Sequence, residues 1–332
     1  MNNIFFIKRI DTVIEYLFAD LQFSNEVKVI EFKKSIFDKV IIGAKSPFYK
    51  FFKMIGLNHF IYFLKIRNKI ETFIRQNDVI IICAQILNDI DLSLFKRLKN
   101  KYNCKLCILC YDSVHASSPT FQAALPYIMN NKWDKIYTFD ENDAKEFSWE
   151  SLQLNYFSTK KYSLIPVIEN PEYDFYFTGS LKGNREELIF STYKKLIDAG
   201  SKINFSVTCN PSEYEKYSRE YDGINFYKTW RPYEDIIKET VNSRCIVEIL
   251  QENQKAQSIR YFEALFFNKK LLTNNPNIVN MPYYNPRYMH YFKTAVDIDI
   301  NWVKDDVEVN YNYKNDFTPL KFIEQVKKDF GL

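Results

Sequence analysis

Residues 244–275 read RCIVEILQENQKAQSIRYFEALFFNKKLLTNN, and their pattern decides the fold. The apolar run Cys245–Leu250 is short and rich in β-branched residues, as in a strand buried on both faces of a parallel sheet. A polar loop, Gln251, Glu252, Asn253, Gln254 and Lys255, leads to Ser258. That serine opens a helix carrying Ile259, Phe262, Leu265 and Phe266 along one apolar face. Lys270–Thr273 is the next strand. Strand, loop, helix and strand in this order form a βαβ unit, and ligands of such sheets sit beyond the carboxyl ends of the strands, beside helix N-termini.

The same alternation extends in both directions. Strands at Asn3–Ile7, Val27–Phe32, Asp78–Ala84, Lys105–Tyr111 and Lys135–Phe139 are separated by helices over 11–23, 91–102 and 117–130, and Asp140 caps a helix through Phe147. Pro119 suits the first turn of its helix, whereas Pro126 predicts a break or kink. Pro166 and Pro171 interrupt the pattern between Ser158 and Tyr173, which marks a linker. A second series follows, with strands at 174–178, 203–208 and 224–227 and helices at 185–199, 211–221 and 232–241. Both halves predict parallel sheets covered on two faces.

The segments Gln257-Ser258-Ile259-Arg260-Tyr261-Phe262-Glu263-Ala264-Leu265 and Lys269-Lys270-Leu271-Leu272-Thr273-Asn274-Asn275 resemble the donor-binding region of GT-B glycosyltransferases, above all those of lipopolysaccharide and capsular polysaccharide biosynthesis. There S-x-R-x-x-E-A-L precedes a strand ending T-x-N. Asp134–Phe147, DKIYTFDENDAKEF, is similar to a late strand and helix of the amino-terminal domain of the same group. The resemblance implies an α/β protein of two Rossmann-like domains facing across a cleft. The expected boundaries are 1–160 for an acceptor-binding domain, 174–317 for a nucleotide-sugar-binding domain, and 318–332 for a terminal helix packing back on the first.

It also implies roles for individual residues. Gln257, Ser258 and nearby N–H groups would meet a donor diphosphate, and Glu263 would accept hydrogen bonds from the ribose hydroxyls. Arg260 would add a phosphate contact. The chemistry is consistent, since a helix N-terminus attracts anions and a guanidinium matches phosphate. The plain alternative is an ordinary amphipathic helix with a surface arginine and glutamate.

A second loop, Phe177-Thr178-Gly179-Ser180-Leu181-Lys182-Gly183-Asn184-Arg185, leaves the first strand of the carboxyl half and enters a helix. Its N–H groups, with Ser180, Lys182 and Arg185, are candidates for the same diphosphate. Gly179 and Gly183 would permit a tight turn or close approach. The spacing is neither that of a dinucleotide fingerprint nor that of a P-loop. Trp230, in YKTWRPY, is placed to stack on a nucleobase, with packing in a buried position as the alternative.

Transfer also needs a base for the acceptor hydroxyl. Asp112 and His115, after the fourth strand, are the candidates, with Asp11 as a rival and loop capping as the alternative for Asp112. Retaining enzymes of the fold typically carry two glutamates eight residues apart, but Lys255 stands eight before Glu263, which favours inversion. The rival readings are a nucleotide-sugar epimerase of the same architecture and an inactive nucleotide-sugar-binding or partner protein.

Composition narrows the rest. The net charge of +4 over 332 residues and the lack of a basic-aromatic motif argue against nucleic acid as a partner. The six cysteines lie in apolar runs, a pattern of buried thiols. Cys104-x-x-Cys107, with Cys110, has no second pair or histidine cluster to complete a metal site. Asp89-Ile90-Asp91 and Asp297-Ile298-Asp299 match a short metal-binding pattern, but their surroundings do not. No metal or cofactor is therefore expected, and the nucleotide sugar enters as substrate. The amino terminus is not a signal peptide and no apolar run reaches bilayer length, so a cytoplasmic protein is expected. Residues 33–69 interleave aromatics with lysines, which suits an anionic membrane surface or a lipid-linked acceptor as well as ordinary packing with solvated lysines.

Overall fold

The computed structural model of the chain describes residues 3–9, 12–32, 70–87, 90, 92–114, 119–152, 158, 160–166, 168–182, 184–251 and 257–332. Asp11, Asp89, Asp91, His115, Gly183, Lys255 and the segment 33–69 lie outside the described residues. The chain divides into two compact units, Met1–Ser158 with Thr318–Leu332, and Thr159–Phe317.

In the first unit, strands β1 (Ile4–Arg9), β2 (Val27–Phe32), β3 (Val79–Cys83), β4 (Lys105–Cys110), β5 (Lys135–Thr138) and β6 (Glu150–Ser151) form one sheet in the order β2-β1-β3-β4-β5-β6. Every pairing is parallel. The centre is β3, whose five residues Val-Ile-Ile-Ile-Cys are all buried, which is why this strand reads as an unbroken apolar run. Helices α1 (Thr12–Leu17), α2 (Leu92–Tyr102), α3 (Pro119–Met129) and α4 (Glu141–Phe147) belong to this unit. The helix expected from Asp11 to Phe23 is divided, because Ala19–Phe23 is a separate 3₁₀ turn. The break expected at Pro126 does not occur. The proline lies on the exposed side of α3, and its carbonyl accepts from Asn130 N–H at 3.1 Å. Asp140 caps α4, accepting from the Asn142 and Asp143 N–H groups at 2.9 and 3.2 Å.

The second unit holds β7 (Tyr173–Ser180), β8 (Ile203–Thr208), β9 (Ile224–Tyr227), β10 (Ser243–Glu248), β11 (Lys270–Thr273) and β12 (Met289–Tyr291), in the order β12-β11-β10-β7-β8-β9. All five pairings are again parallel. The helices are α5 (Glu186–Asp198), α6 (Tyr214–Glu220), α7 (Tyr233–Val241), α8 (Ile259–Phe267) and α9 (Ile300–Lys304). Counted within the unit, this is the 3-2-1-4-5-6 order of a dinucleotide-binding sheet seen from its other edge. Two Rossmann-like units are thus present, as the alternation of strands and helices predicts.

The last helix, α10 (Pro319–Phe330), is part of the first unit. Thr318 caps it and Pro319 occupies its first turn, while Phe322, Ile323 and Val326 are buried. Tyr137 hydroxyl donates to Asp329 at 2.8 Å and its ring meets Phe322 edge-on. The chain leaves this unit after Ser158 and returns at Thr318, and one buried carboxylate holds both ends. Asp20 accepts from Ser158 Oγ and, at 2.9 Å, from Thr318 Oγ1, while its own N–H donates to Ser158 Oγ at 2.6 Å. Asp20→Ala would strip these hydroxyls of their acceptor and is expected to cost about 2–3 kcal/mol. A lowered denaturation midpoint checks this, with Asp20→Asn expected to fall between the two.

Candidate functional site

In an open parallel sheet the crevice for a ligand opens where the strand order reverses. In the second unit that point lies between β7 and β10; loops with named candidates leave these two strands, and a third leaves β9 at the edge of the sheet. The loop after β7 is short, and Gly179 inside the strand is explained by packing. A Cβ added there would lie 2.8 Å from Cζ of Phe177. Arg185, just before α5, turns back across the reversal point. It donates to the Ile249 carbonyl beyond β10 at 2.9 Å, and to the Ser180 carbonyl and hydroxyl at the end of β7 at 2.6 and 2.9 Å. Ser180 is itself buried and is turned to this arginine.

Arg185 has no carboxylate partner among the described residues, and its buried Nε has no hydrogen-bond partner. Burial alone pushes its guanidinium down, to about 10, so it remains charged at neutral pH. Of the other buried or partly buried cations, Lys8 lies 2.6 Å from Glu31, Arg231 and Arg260 are paired with Glu239 and Glu263, and Lys270 is held by the Trp302 and Asp305 carbonyls. Lys269, bonded among the described residues to the Val241 carbonyl, is pushed down to about 8 and can shed its proton. An arginine has no such outlet.

The loop after β9 presents Trp230, which is 65 % exposed. Its neighbour Arg231 is anchored on Glu239, on Ser206 Oγ at 2.9 Å, and against the Tyr227 ring, so the indole is held outward. Lys182 Nζ lies 5.8 Å from the centre of the Trp230 ring. The candidate cation from β7 and the candidate aromatic from β9 therefore share one surface, and the alternative of a buried tryptophan does not hold.

The loop after β10 ends at Ser258, the N-cap of α8. Its Oγ accepts from Arg260 N–H at 3.1 Å and donates to Glu248 Oε1 at 2.5 Å. Glu248 ends β10 fully buried, and its other oxygen accepts from Thr273 Oγ1. Burial raises the Glu248 carboxyl, and the bonds from Ser258 and Thr273 offset part of the rise. Glu248 was not visible as a site residue because it sits inside an apolar run; a carboxylate closing such a strand was the available signal. The end of β11 is clamped likewise: Leu250 N–H donates to Asn274 Oδ1 at 2.7 Å. Gln257 is half-buried, with its amide against Met281 Sδ.

Glu263 is fully buried. One oxygen accepts from Tyr233 hydroxyl and the other from Arg260, and Tyr233 oxygen accepts from Tyr162 hydroxyl at 2.9 Å. The carboxylate expected to meet a ribose thus faces the interior of the unit, where α7 and α8 meet. Arg260 keeps 12 % of its side chain exposed.

In the first unit the order reverses between β1 and β3. Gln85, in the turn after β3, is 4 % exposed, and among the described residues neither its oxygen nor its nitrogen has a hydrogen-bond partner. Asp112 is half-buried in the bend after β4. Asp143 of α4 straps that bend by accepting from Val114 N–H at 2.8 Å.

The short acidic pattern Asp297-Ile298-Asp299 is used for capping. Asp297 accepts from the Lys293 and Thr294 N–H groups, and Asp299 caps α9 through Asn301 N–H. Cys104, Cys107 and Cys110 are free and buried, and burial pushes all three thiols up, Cys104 to about 11. No metal-binding group of three or more His, Cys, Asp or Glu is assembled among the described residues. A cavity of about 920 Å³ lies at the opposite, amino-terminal strand ends of the second unit. Its cations are already engaged, Arg244 by Asp306 at 2.8 Å and Lys270 by the Trp302 carbonyl at 2.8 Å. No described helix is long and apolar enough to cross a membrane.

By sequence, no protein-family model and no curated protein matches the chain. Among solved structures, the chain is similar over its whole length to an alpha-glucosyltransferase in complex with UDP and a 13-mer DNA. The TM-score is 0.59, with 11% identity and 100% of both chains covered. It is also similar to the apo form of the lipopolysaccharide outer core galactosyltransferase WaaB, with a TM-score of 0.52, 13% identity, and 100% of this chain and 99% of that one covered. Anabaena Alr3699/HepE in complex with UDP and glucose gives a TM-score of 0.52 at 10% identity, with both chains covered in full. At such identities the likeness is one of architecture: the chain has the GT-B fold.

Proposed function

We propose that the protein is a glycosyltransferase that moves a sugar from a nucleotide-sugar donor to a surface glycan or a lipid-linked acceptor, with inversion and without a metal. The observation that carries this reading is Arg185, a half-buried, charged guanidinium with a buried Nε and, among the described residues, no carboxylate partner, spanning the reversal point of the second sheet. A desolvated cation without a counter-ion costs several kcal/mol, and an anionic ligand offsets that cost. A nucleoside diphosphate fits the surroundings. Trp230 offers a face to the base, and Lys182, Arg185 and Arg260 offer charge to the phosphates at the start of α8. UDP is the nucleotide in two of the structures with this architecture.

In the proposed step the acceptor oxygen attacks the anomeric carbon as the bond to the diphosphate breaks. The electron pair goes to the phosphate oxygen, where the cations compensate the charge. The proton leaves to a base of the first unit, Asp112 or His115. Gln85 is proposed to meet the acceptor hydroxyls, since a buried amide with no partner is costly without a ligand. Gln85→Leu is therefore expected to stabilise the free protein by about 1–2 kcal/mol and to raise the acceptor KM. Thermal melting and acceptor titration check the two halves.

The test of function is incubation with UDP-, GDP- and CDP-sugars, with and without lipid-linked acceptor. Acceptor-dependent release of the nucleoside diphosphate is expected. Interconversion of the donor sugar would point to an epimerase, and tight binding without turnover to an inactive binding protein.

A further inference from the structure

Four side chains of the second unit form one buried line. Tyr162, in the 3₁₀ turn three residues after the unit begins, donates to the Tyr233 oxygen at 2.9 Å. Tyr233, at the start of α7, donates to one oxygen of Glu263, and the other oxygen holds Arg260. Tyr162, Tyr233 and Glu263 are each at most 1 % exposed, so the line is shielded from water until it reaches the guanidinium. The Tyr162 ring is fixed in turn by Phe266 and Phe267 at the end of α8. Three separate segments thus converge on a carboxylate that has no surface of its own.

We propose that Tyr162 and Tyr233 are positioning residues for nucleotide binding, acting through Glu263 to hold Arg260 in the orientation that meets a diphosphate. The proposal rests on the reading of the second unit as the nucleotide site. A carboxylate with both oxygens engaged fixes the arginine from behind and leaves its remaining N–H groups to the ligand. Glu263, buried and bonded to Arg260, then bears on the ligand through that guanidinium. The groups that face Glu263 are Arg260 from its own helix, Tyr233 from α7 with Tyr162 behind it, and Tyr176 from β7, which senses its charge.

The line makes nucleotide binding sensitive to the protonation of Glu263. Burial raises this carboxyl, and Arg260 and the Tyr233 hydroxyl hold it down. Removing the hydroxyl raises it further, so Glu263 takes up its proton at higher pH and releases Arg260 sooner.

The experiment is calorimetric titration of UDP, GDP, CDP and ADP into wild type, Tyr233→Phe and Tyr162→Phe between pH 5 and 8, with thermal melting as a check on folding. For the nucleotide that binds wild type, Tyr233→Phe is expected to weaken affinity about threefold to tenfold at neutral pH. The pH below which affinity falls should move upward. Tyr162→Phe, which leaves the Tyr233–Glu263 bond in place, should shift the profile the same way by less. Ionisation of the nucleotide itself is common to all three proteins and cancels in the comparison. Profiles that are parallel, or displaced equally at every pH, overturn the positioning role and leave the site intact. If wild type binds none of the four nucleotides, the site reading fails and this inference with it.

Discussion

Arg185→Met is expected to lower kcat/KM for sugar transfer by about 10²–10³-fold while leaving the melting temperature unchanged or higher. The two halves of this expectation have one cause. The guanidinium is largely desolvated and, among the described residues, is bonded to the Ser180 and Ile249 carbonyls and the Ser180 hydroxyl and faces no carboxylate. In the free protein its burial is a cost, and methionine fills a similar volume without charge. In the proposed reaction the same cation lies beside the diphosphate, where negative charge grows as the sugar departs. Steady-state kinetics and calorimetric melting read the two effects. A variant that melts lower but transfers normally would make Arg185 a fastener between β7 and β10 and nothing more.

Glu248→Ala is expected to reduce stability by about 2–4 kcal/mol and to abolish measurable transfer. This carboxylate gathers Ser258 Oγ and Thr273 Oγ1, and with them the start of α8 and the end of β11. Without it two hydroxyls lose their acceptor and the cap of α8 loses its anchor. Glu248→Gln keeps an acceptor and separates charge from shape. Because burial raises the Glu248 carboxyl, its contribution to stability is greatest when it is protonated and declines as pH rises through its folded value. Wild type should therefore lose stability relative to Glu248→Gln as pH climbs from the ordinary glutamate range upward. Denaturant midpoints across that range test it, and an opposite slope would contradict the burial argument.

Both sheets were legible in the sequence because their central strands carry apolar runs, β3 as Val-Ile-Ile-Ile-Cys and β10 through Cys245, Ile246 and Val247. The edge strands β6 and β12 were not, since two or three residues carry no period. The helix bearing Ser258, Arg260 and Glu263 was readable as a unit, for these residues lie within two turns of each other. Their partners were not readable. Glu248 stands ten residues before the serine it binds, and Tyr233 thirty before the glutamate it holds. Spacing along a chain does not reveal which hydroxyl a buried carboxylate will meet. Trp230 shows the same limit, because its neighbour Arg231 is anchored by Glu239, Ser206 and the Tyr227 ring, partners that spacing does not reveal.

The claim on which the rest depends is that the second unit binds a nucleoside diphosphate at the reversal point of its sheet. Hydrogen exchange of the full chain, read by mass spectrometry with and without saturating UDP, GDP or CDP, tests it most directly. Slower exchange is expected in peptides covering 180–186, 227–232 and 257–262 with one of these nucleotides. Protection confined to the first unit, or none with any of them, would contradict it.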